Sequence, residues 1–406
     1  MTVGRNNISN FELKKVTIKT YDALPQAISE MHIFEGIDNP GITGTISMMD
    51  WHGLDELGEV FAGDDITIEF MSGGRDSLVL KYKIYAASSG VNTTASYQPI
   101  VYHFCSPWLI DAYTRQISKS YKEKYIHEII KDLLTECGAD IGFIEPTKQK
   151  LPRFTTPLWT AIKSITHLLS FAMNQTDVGG YVFWTDMKTG KVNVTTVDYL
   201  YKGTLGIEES KFVSLPLNEL YESRIDALTF ESYFDIIRHL NQGTAQTIHQ
   251  GYNYDKNKLY TFDKSVNKNT HAHLSTKLPI NAAYNTAKYA SIKGSYIYPS
   301  RDALITDDKM YTDLVDGKAK TRYVRLFSDA FKINISTNPN SSRRAGHIVG
   351  LDYQSVNKGT PSLNLHYTGM YLIRNIRHIV VQGVYNQMIT LICDGYQQSK
   401  NKLITW

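Results

Sequence analysis

The stretch that decides the fold runs from Ile33 to Phe70 and reads IFEGIDNPGITGTISMMDWHGLDELGEVFAGDDITIEF. An apolar run enters it and stops at the turn-forming cluster of residues 38–41, and residues 44–50 predict a second strand. Four apolar residues then recur at spacings of three and four, which predicts a short helix with one buried face: Leu54, Leu57, Val60 and Phe61. A second turn leads to the alternating residues 66–70. We interpret the stretch as the corner of a small antiparallel β-barrel, with the helix over one mouth.

The flanking segments extend this pattern. Residues 11–20 alternate with a slip of phase after Leu13, as a β-bulge would require. Two further alternating segments, residues 78–84 and 100–104, precede Pro107. We therefore predict that residues 1–108 form one closed barrel, which would remove the exposed edges of its strands.

From Trp108 the apolar period changes to that of helices. Residues 126–134 carry a helical stripe that ends before Gly138, and a second helix is predicted to begin at Pro157 with Thr156 as its cap. Residues 181–184 and 191–194 then predict a hairpin. These elements predict an α+β domain over residues 109–202.

The remainder predicts a second barrel with an insertion. A strand is expected at residues 225–234, a short helix at 236–240 and another helix around 318–329. Alternating strands follow until Cys393. The predicted domains are 203–242 with 318–395 for the barrel, 243–317 for the insertion and 396–406 for a tail. The fold class is mainly β and multidomain, with two similar small antiparallel β-barrels and an α+β domain between them.

Composition bounds the function. The chain has 406 residues, of which 42% are hydrophobic, so it is long enough for two to four domains with real cores. Its net charge is +3, which argues against a protein that chiefly neutralises phosphates. A local group of lysines is interpreted as a solvated helical face: Lys119, Lys122, Lys124 and Lys131.

Cysteine usage and hydropathy indicate folding in a reducing cytosol. The three cysteines are far apart and form no CxxC pair, so neither a disulfide framework nor a thiolate zinc site is expected: Cys105, Cys137 and Cys393. The N-terminal residues have no apolar core like that of a signal peptide. Residues 158–173 are too short for a membrane span and are interrupted by Lys163 and His167. We expect no membrane insertion.

Catalytic patterns are near misses. His127 and Glu128 begin like HExxH, but Lys131 stands where the second zinc ligand must be. His271 and His273 would share one face of a strand, but a metal site would need a third ligand, so we interpret them as surface histidines. The acidic pairs at 208–209 and 307–308 are interpreted as solvated surface, because nothing in the sequence makes them face each other across a substrate. We predict no catalytic, metal or cofactor-binding residues, no cofactor and no enzymatic activity.

The C-terminal tail carries the one partner contact that we predict from residues alone. Residues 394–402 are polar, but the chain then ends on three large apolar side chains: Leu403, Ile404 and Trp406. Large apolar side chains at the end of a polar segment are costly to leave in water, so we expect them to dock on a protein surface. Docking within the same protomer and docking on a partner both remain open.

The residue order resembles that of a known family. The segments GITGTISMMDW, LDEL and FAGDDITIEF, together with a later strand GMYLI, resemble the barrels of the central baseplate hub protein of contractile-tailed bacteriophages. This spike-carrying, T-even-like hub belongs to a wider superfamily of tail hubs and type VI spike bases. The resemblance covers most of the chain and involves no catalytic signature.

The resemblance implies a structural virion protein. Such hubs are homotrimers that form a ring with an axial channel and adapt a sixfold tail tube to a threefold spike. The implied partners are the tail spike, the tail tube or its initiator, the tape measure protein, the baseplate wedge proteins and DNA in passage. The implied location is the tail baseplate of the virion, after assembly in the host cytoplasm. Two alternatives remain open, a tail-associated cell-wall hydrolase and a carbohydrate-binding receptor module.

Overall fold

The computed structural model of the chain describes fourteen ranges of residues. They are 11–23, 25–50, 60–71, 77–89, 98–208, 211–214, 224–232, 246–253, 258–265, 294–299, 308–328, 330–355, 362–364 and 366–395. Several predicted features lie outside these ranges. They are most of the helix at 54–61, the helix at 236–240, His271 and His273, and the tail with Leu403, Ile404 and Trp406.

The first part of the chain is a run of strands. They are β1 (Glu12–Ile18), β2 (Tyr21–Ala23), β3 (Ile28–Gly36), β4 (Thr43–Asp50), β5 (Asp65–Met71), β6 (Leu78–Ser89) and β7 (Gln98–Cys105). Their side chains alternate between buried and exposed, as strands with one covered face require. The register of β1 against β5 shifts between Leu13 and Lys15, which confirms the predicted bulge.

The α+β segment follows directly. Its elements are α1 (Pro107–Thr114), β8 (Gln116–Tyr125), α2 (Ile126–Glu136), β9 (Ile141–Ile144), β10 (Lys150–Thr160), α3 (Ala161–Leu169), β11 (Tyr181–Thr185), β12 (Val192–Thr196) and α4 (Val197–Tyr201). Helix α2 buries the predicted stripe and is followed by Gly138 at φ +72°. The hairpin of β11 and β12 is also confirmed.

Two local predictions in this segment were wrong. The helix predicted from Pro157 begins at Ala161, because residues 150–160 pair with β8 as a strand whose register shifts between Pro157 and Trp159. The cap is therefore Thr160, whose hydroxyl accepts a hydrogen bond from the Lys163 backbone N–H at 3.4 Å. The lysines at 119, 122 and 124 are exposed as predicted, but they lie on strand β8 and not on a helix.

The last part of the chain returns to strands. They are β13 (Phe212–Val213), β14 (Ile225–Ser232), β15 (Gln246–Asn253), β16 (Lys258–Ser265), β17 (Gly294–Pro299), β18 (Phe331–Thr337), β19 (Ile348–Asp352), β20 (Gln354–Ser355), β21 (Ser362–Leu363), β22 (Gly369–Val381) and β23 (Val384–Cys393). A long helix, α5 (Asp308–Ser328), precedes β18 and begins well before the predicted start at residue 318. Strands β15, β16 and β17 form a three-stranded sheet of their own.

The two β-rich parts share one strand order. Reading across the sheet, the first part runs β1-β5-β6-β7-β4-β3 and the second runs β13-β19-β22-β23-β18-β14. If the six strands of each part are counted along the chain, the order across the sheet is first, fourth, fifth, sixth, third and second in both parts. Neighbours are antiparallel throughout, except that β13 and β19 are parallel. The mainly β, multidomain fold class with two similar β units is confirmed.

The irregularities of the two parts also coincide. The register of β6 against β7 shifts between Ile84 and Ala86, and that of β22 against β23 shifts between Ile373 and Asn375. The register of β3 against β4 shifts just after Ile28, and that of β14 against β18 shifts just after Ile225. Two bulges at equivalent places fix the alignment of the two parts residue by residue.

Among the described strands, the barrel predicted for residues 1–108 is a curled sheet whose β3 edge pairs with the second part, and its closure stays a prediction. Strand β3 pairs antiparallel with β22, so thirteen of the described strands, from both β-rich parts, form one continuous sheet. Pairing with the second part satisfies the β3 edge as well as closure would.

Separate apolar cores lie under the two parts of this sheet. The first contains Ile46, Ile68 and Phe104, and the second contains Ile335, Ile373 and Leu391. A third core fills the α+β segment around α2 and α3. Helix α5 packs against that segment, where a Cβ on Gly317 would lie 2.0 Å from the Phe171 carbonyl oxygen.

Candidate functional site

The pairing of β3 with β22 is the structural centre of the chain, and we call it the junction. It runs from Asn375 opposite Gly36 to Val381 opposite Glu30. On their other edges β3 pairs with β4 and β22 pairs with β23. The junction therefore joins two complete β units edge to edge across more than three hundred residues of chain.

One end of the junction depends on a glycine. A Cβ on Gly36 would lie 2.2 Å from Oδ1 of Asn375, its cross-strand partner. A side chain at residue 36 would therefore force the Asn375 side chain to move. At the same end, Nε of Arg374 donates to Oδ2 of Asp38 at 2.6 Å, across the outside of the junction.

A buried polar cluster lies on the core side of the junction. Glu35 of β3 and His378 of β22 are 1% and 2% exposed, and their Oε2 and Nε2 atoms are 3.8 Å apart. The Glu35 carboxylate also accepts from the backbone N–H of Met187 at 3.4 Å, which ties in the turn of the β11–β12 hairpin. Burial lowers the pKa of His378, so its imidazole is neutral at pH 7.

A hydroxyl and an amide fix the tautomer of this imidazole. Nε2 of Gln387 donates to the Tyr385 hydroxyl at 3.1 Å, and that hydroxyl lies 2.7 Å from Nδ1 of His378. Burial raises the pKa of Tyr385, so its oxygen keeps a proton that it donates to Nδ1. The proton of the neutral ring then resides on Nε2, which faces Glu35.

Two buried arginines extend the cluster. Arg343 is fully buried and donates from one terminal nitrogen to the Asn338 carbonyl at 2.7 Å and to the Gln387 amide oxygen at 2.8 Å. Nε of the neighbouring Arg344 lies 3.8 Å from Oδ2 of Asp186, in the β11–β12 turn. The cluster is enclosed and connects three segments of the chain, so its chemistry is that of a structural clamp.

The opposite face of the sheet, which points away from the cores, is polar and continuous across the junction. Arg377 lies over the Phe34 ring at 5.5 Å, and Lys332 pairs with Glu231 at 2.6 Å. In strands β4, β7, β18 and β23, Lys332 is the one lysine, arginine or carboxylate on this face, and its other side chains include Thr43, Thr45, Ser47, His103, Asn334, Ser336, Asn386 and Met388. Farther from the junction, β5 and β6 carry Asp65, Glu69, Lys81 and Lys83 on the same face. Such a face can border water without binding any one ligand strongly.

Among the strand edges that no described strand pairs with, two belong to β6 and β14. Residues 86–89 of β6 pair with β7 on one side, and β5 has already ended at the level of Lys83. Strand β14 pairs with β18 and is the last strand of the sheet on that side. Open edges present backbone N–H and C=O groups that another strand can pair with.

The residues that the sequence singled out for chemistry have structural roles or lie outside the described ranges. His127 and Glu128 are structural, because Glu128 accepts from the Tyr125 backbone N–H at 3.0 Å and His127 bonds Thr147. Across the described ranges, no three His, Cys, Asp or Glu side chains cluster closely enough to hold a metal ion. In the same part of the chain, no helix is long and apolar enough to span a membrane. The predicted contact residues Leu403, Ile404 and Trp406 lie outside it, and their docking stays a prediction.

Sequence reasoning missed the junction and its buried cluster. The available signal was a polar residue on the apolar phase of a strand. Glu35 continues the phase of Met31 and Ile33, and His378 lies between Ile376 and Val380 on the same phase. Such residues are buried with partners far away in sequence, and the pattern cannot identify those partners.

Comparison with known proteins places this fold. No protein-family model matches the sequence, and no curated protein matches it. The chain is similar in structure to a tail protein from Neisseria meningitidis MC58, at a TM-score of 0.58 and 10% identity over 97% of this chain and 98% of that one. It is also similar to the 43 kDa tail protein of prophage MuSo2 from Shewanella oneidensis, at 0.54 and 10% identity over 95% and 99%.

A third similar structure is the Francisella PdpA-VgrG complex in its half-lidded form. The TM-score is 0.52 at 11% identity, and the match covers all of this chain but 61% of that one. At such low identity the likeness concerns the fold. The chain has the fold of phage and prophage tail proteins, as its resemblance to the tail-hub superfamily predicts.

Proposed function

We propose that this chain is the central hub protein of a phage tail baseplate, and that three copies close into a ring around an axial channel. The observation that carries the proposal is the duplication of the sheet. Two β units with one strand order and matching bulges are joined edge to edge within the chain. Three such chains offer six similar β units, which is what a subunit between a sixfold tube and a threefold spike requires.

The polar face of the sheet suits the wall of the channel. In a ring closed by edge-to-edge pairing, one face of each sheet must point to the axis. The apolar cores and the α+β segment cover the other face. Small hydroxyl and amide side chains, such as Thr45, Ser47 and Ser336, let DNA or the end of a tape measure protein pass without strong binding. The exposed Arg377 and the Lys332–Glu231 pair provide charge of both signs.

The proposed partners are those of a hub. One rim of the ring joins the tail tube or its initiator and the baseplate wedge proteins, and the other carries the tail spike. The tape measure protein ends in the channel. The proposed location is the baseplate of the virion tail, after assembly in the host cytoplasm. The role is structural rather than catalytic.

The mass of the purified protein in solution tests the proposal. Light scattering should give three times the chain mass of 46.1 kDa for the chain alone, or that mass plus the mass of the spike for the complex. A monomer or a dimer in the presence of the spike would refute the ring. Clearing of cell walls by the purified chain would instead favour the alternative function of a hydrolase.

A further inference from the structure

The chain holds one complete junction and the two halves of a second. The shared strand order makes β3 the counterpart of β14, and β22 the counterpart of β6. Strand β22 pairs with β3 through residues 375–381, just after its bulge. The counterpart of that segment begins at Ala86 of β6, and no described strand covers its outer edge. Strand β14 in turn presents the edge by which β3 joins β22.

The matching bulges fix how the two half-junctions correspond. On one side, Ala86, Ser88 and Ser89 take the places of Asn375, Arg377 and His378. On the other side, Ala227 and Thr229 take the places of Glu30 and His32. A further bulge in β14 between Phe230 and Ser232 puts Glu231 and Ser232 together at the place of Phe34. Within the chain, Arg377 lies opposite Phe34.

The composition of the β6 edge also indicates a partner. Residues 84–89 read IYAASS and contain no charged residue and no proline. Strand edges that stay exposed are usually blunted by lysine, by other charges or by proline. Tyr85, at the bulge, has 48% of its surface exposed beside this edge. An unprotected edge of this kind is suited to pairing with another strand.

We propose that β14 of one protomer pairs antiparallel with residues 86–89 of β6 in a second copy of this chain, in the register that β3 and β22 adopt within one chain. Ser88 of one protomer then lies opposite Glu231 and Ser232 of the next. The contact is head-to-tail, because its two surfaces differ, and head-to-tail contacts that close produce rings. The inference rests on the proposed ring and adds the strands and the register that hold it together.

Engineered cysteines test the register. Directly opposite residues in an antiparallel pair have Cα atoms about 4.5–5.5 Å apart, within disulfide reach, whereas diagonal neighbours at about 7–8 Å are beyond it. The variant Ser88→Cys/Glu231→Cys should therefore form covalent dimers and trimers under mild oxidation on a non-reducing gel. An equal mixture of the two single variants should stop at dimers. The native cysteines are buried and should not compete.

Two matched variants serve as controls. The variant Ser88→Cys/Thr229→Cys has its second thiol two residues from position 231 along β14. Its cross-linked fraction should be at least tenfold lower than that of Ser88→Cys/Glu231→Cys. Phe34→Cys/Arg377→Cys places the same pair of positions within one chain, and thiol counting by mass spectrometry should show an intrachain disulfide.

Each contrary result has a distinct meaning. A trimer by mass without the Ser88–Glu231 cross-link, while the intrachain control forms, would overturn the ladder and leave the proposed ring standing. Stronger cross-linking of the Ser88–Thr229 pair would overturn the register. A chain that stays monomeric with its spike would overturn the ring and the ladder together.

Discussion

The duplicated sheet fills the same buried space in two different ways, and this yields a quantitative prediction. In the first unit Gly44 lies opposite Phe104, and in the second Ile333 lies opposite Leu391. All four residues are buried, and the bulge-based alignment makes them equivalent pairs. In the first unit the large ring of Phe104 thus fills the space beside a glycine, whereas in the second unit two side chains of medium size share the equivalent space. We expect Gly44 to tolerate no side chain while Phe104 is present.

The distances give the size of the effect. A Cβ on Gly44 would lie 2.2 Å from Cζ of Phe104 and 2.5 Å from the His32 carbonyl oxygen, whereas carbon atoms normally pack about 3.5–4.0 Å apart. Overpacking of a core costs about 1–3 kcal/mol. We expect Gly44→Ala to cost the upper part of that range, about 2–3 kcal/mol, because the carbonyl belongs to the backbone and cannot turn aside. Adding Phe104→Leu should recover about 1 kcal/mol, since it removes only the ring contact.

Hydrogen exchange of peptides from β4 and β7 is the suitable assay. The chain has several cores, so a local opening free energy is better defined than one global melting temperature. Gly44→Ala should reduce protection in both strands by roughly 30- to 140-fold. Thr45→Ala, on the other face of β4, should change it less than about threefold. Unchanged protection in Gly44→Ala, or a further loss on adding Phe104→Leu, would refute the reasoning.

Three other perturbations test the buried cluster, helix α5 and the tail. Burial lowers the pKa of His378 below its ordinary value of 6.5, so the folded chain binds fewer protons than the unfolded chain in mild acid. The free energy of unfolding should therefore fall below about pH 6.5, by up to about 1.4 kcal/mol per pH unit, and less steeply in His378→Gln. Gly317→Ala should lower the stability of the protein by about 1–3 kcal/mol, because its Cβ would strike the Phe171 carbonyl. In an isolated peptide of α5 the same change should raise helicity. Deleting residues 401–406 should weaken assembly and leave the fold of the monomer intact.

Each of these has an outcome that counts against it. A pH slope that is the same in His378→Gln would mean that other groups, such as His127, whose pKa burial also lowers, carry the acid sensitivity. Higher thermal stability of Gly317→Ala would show that α5 does not pack against Phe171. Loss of monomer stability on deleting the tail, with assembly unchanged, would indicate that Leu403, Ile404 and Trp406 dock within their own chain.

Local patterns in the sequence predicted those elements whose formation depends on local chemistry. The stripe of α2, its stop before Gly138 and the β11–β12 hairpin follow from periodicity and turn residues alone. The helix predicted from Pro157 was wrong because Thr156 and Pro157 fit the start of a helix as well as they fit a strand with a bulge. Pairing with β8, which sets Pro157 opposite Ser118, makes this segment a strand with a bulge instead. The helical reading of Lys119 failed for the same reason.

The junction could not be predicted from any local pattern. Strands β3 and β22 are far apart in the chain, and their register depends on which edges remain open after each unit has formed. Glu35 and His378 stood out only as polar residues on apolar phases. The predicted closed barrel assumed that an edge is satisfied within its own unit, whereas the chain satisfies it with the edge of the other unit. Periodicity predicted the strands of both β-rich parts, and the resemblance to tail hubs supplied the reason to expect the two parts to be alike.

Electron microscopy of the assembled particle, viewed down its axis, tests the central claim most directly. We predict six densities of similar shape at one radius, two from each of three chains, joined by a continuous inner wall of β-strands. Two sets of three densities at unequal radii, or an open filament in place of a closed ring, would contradict it.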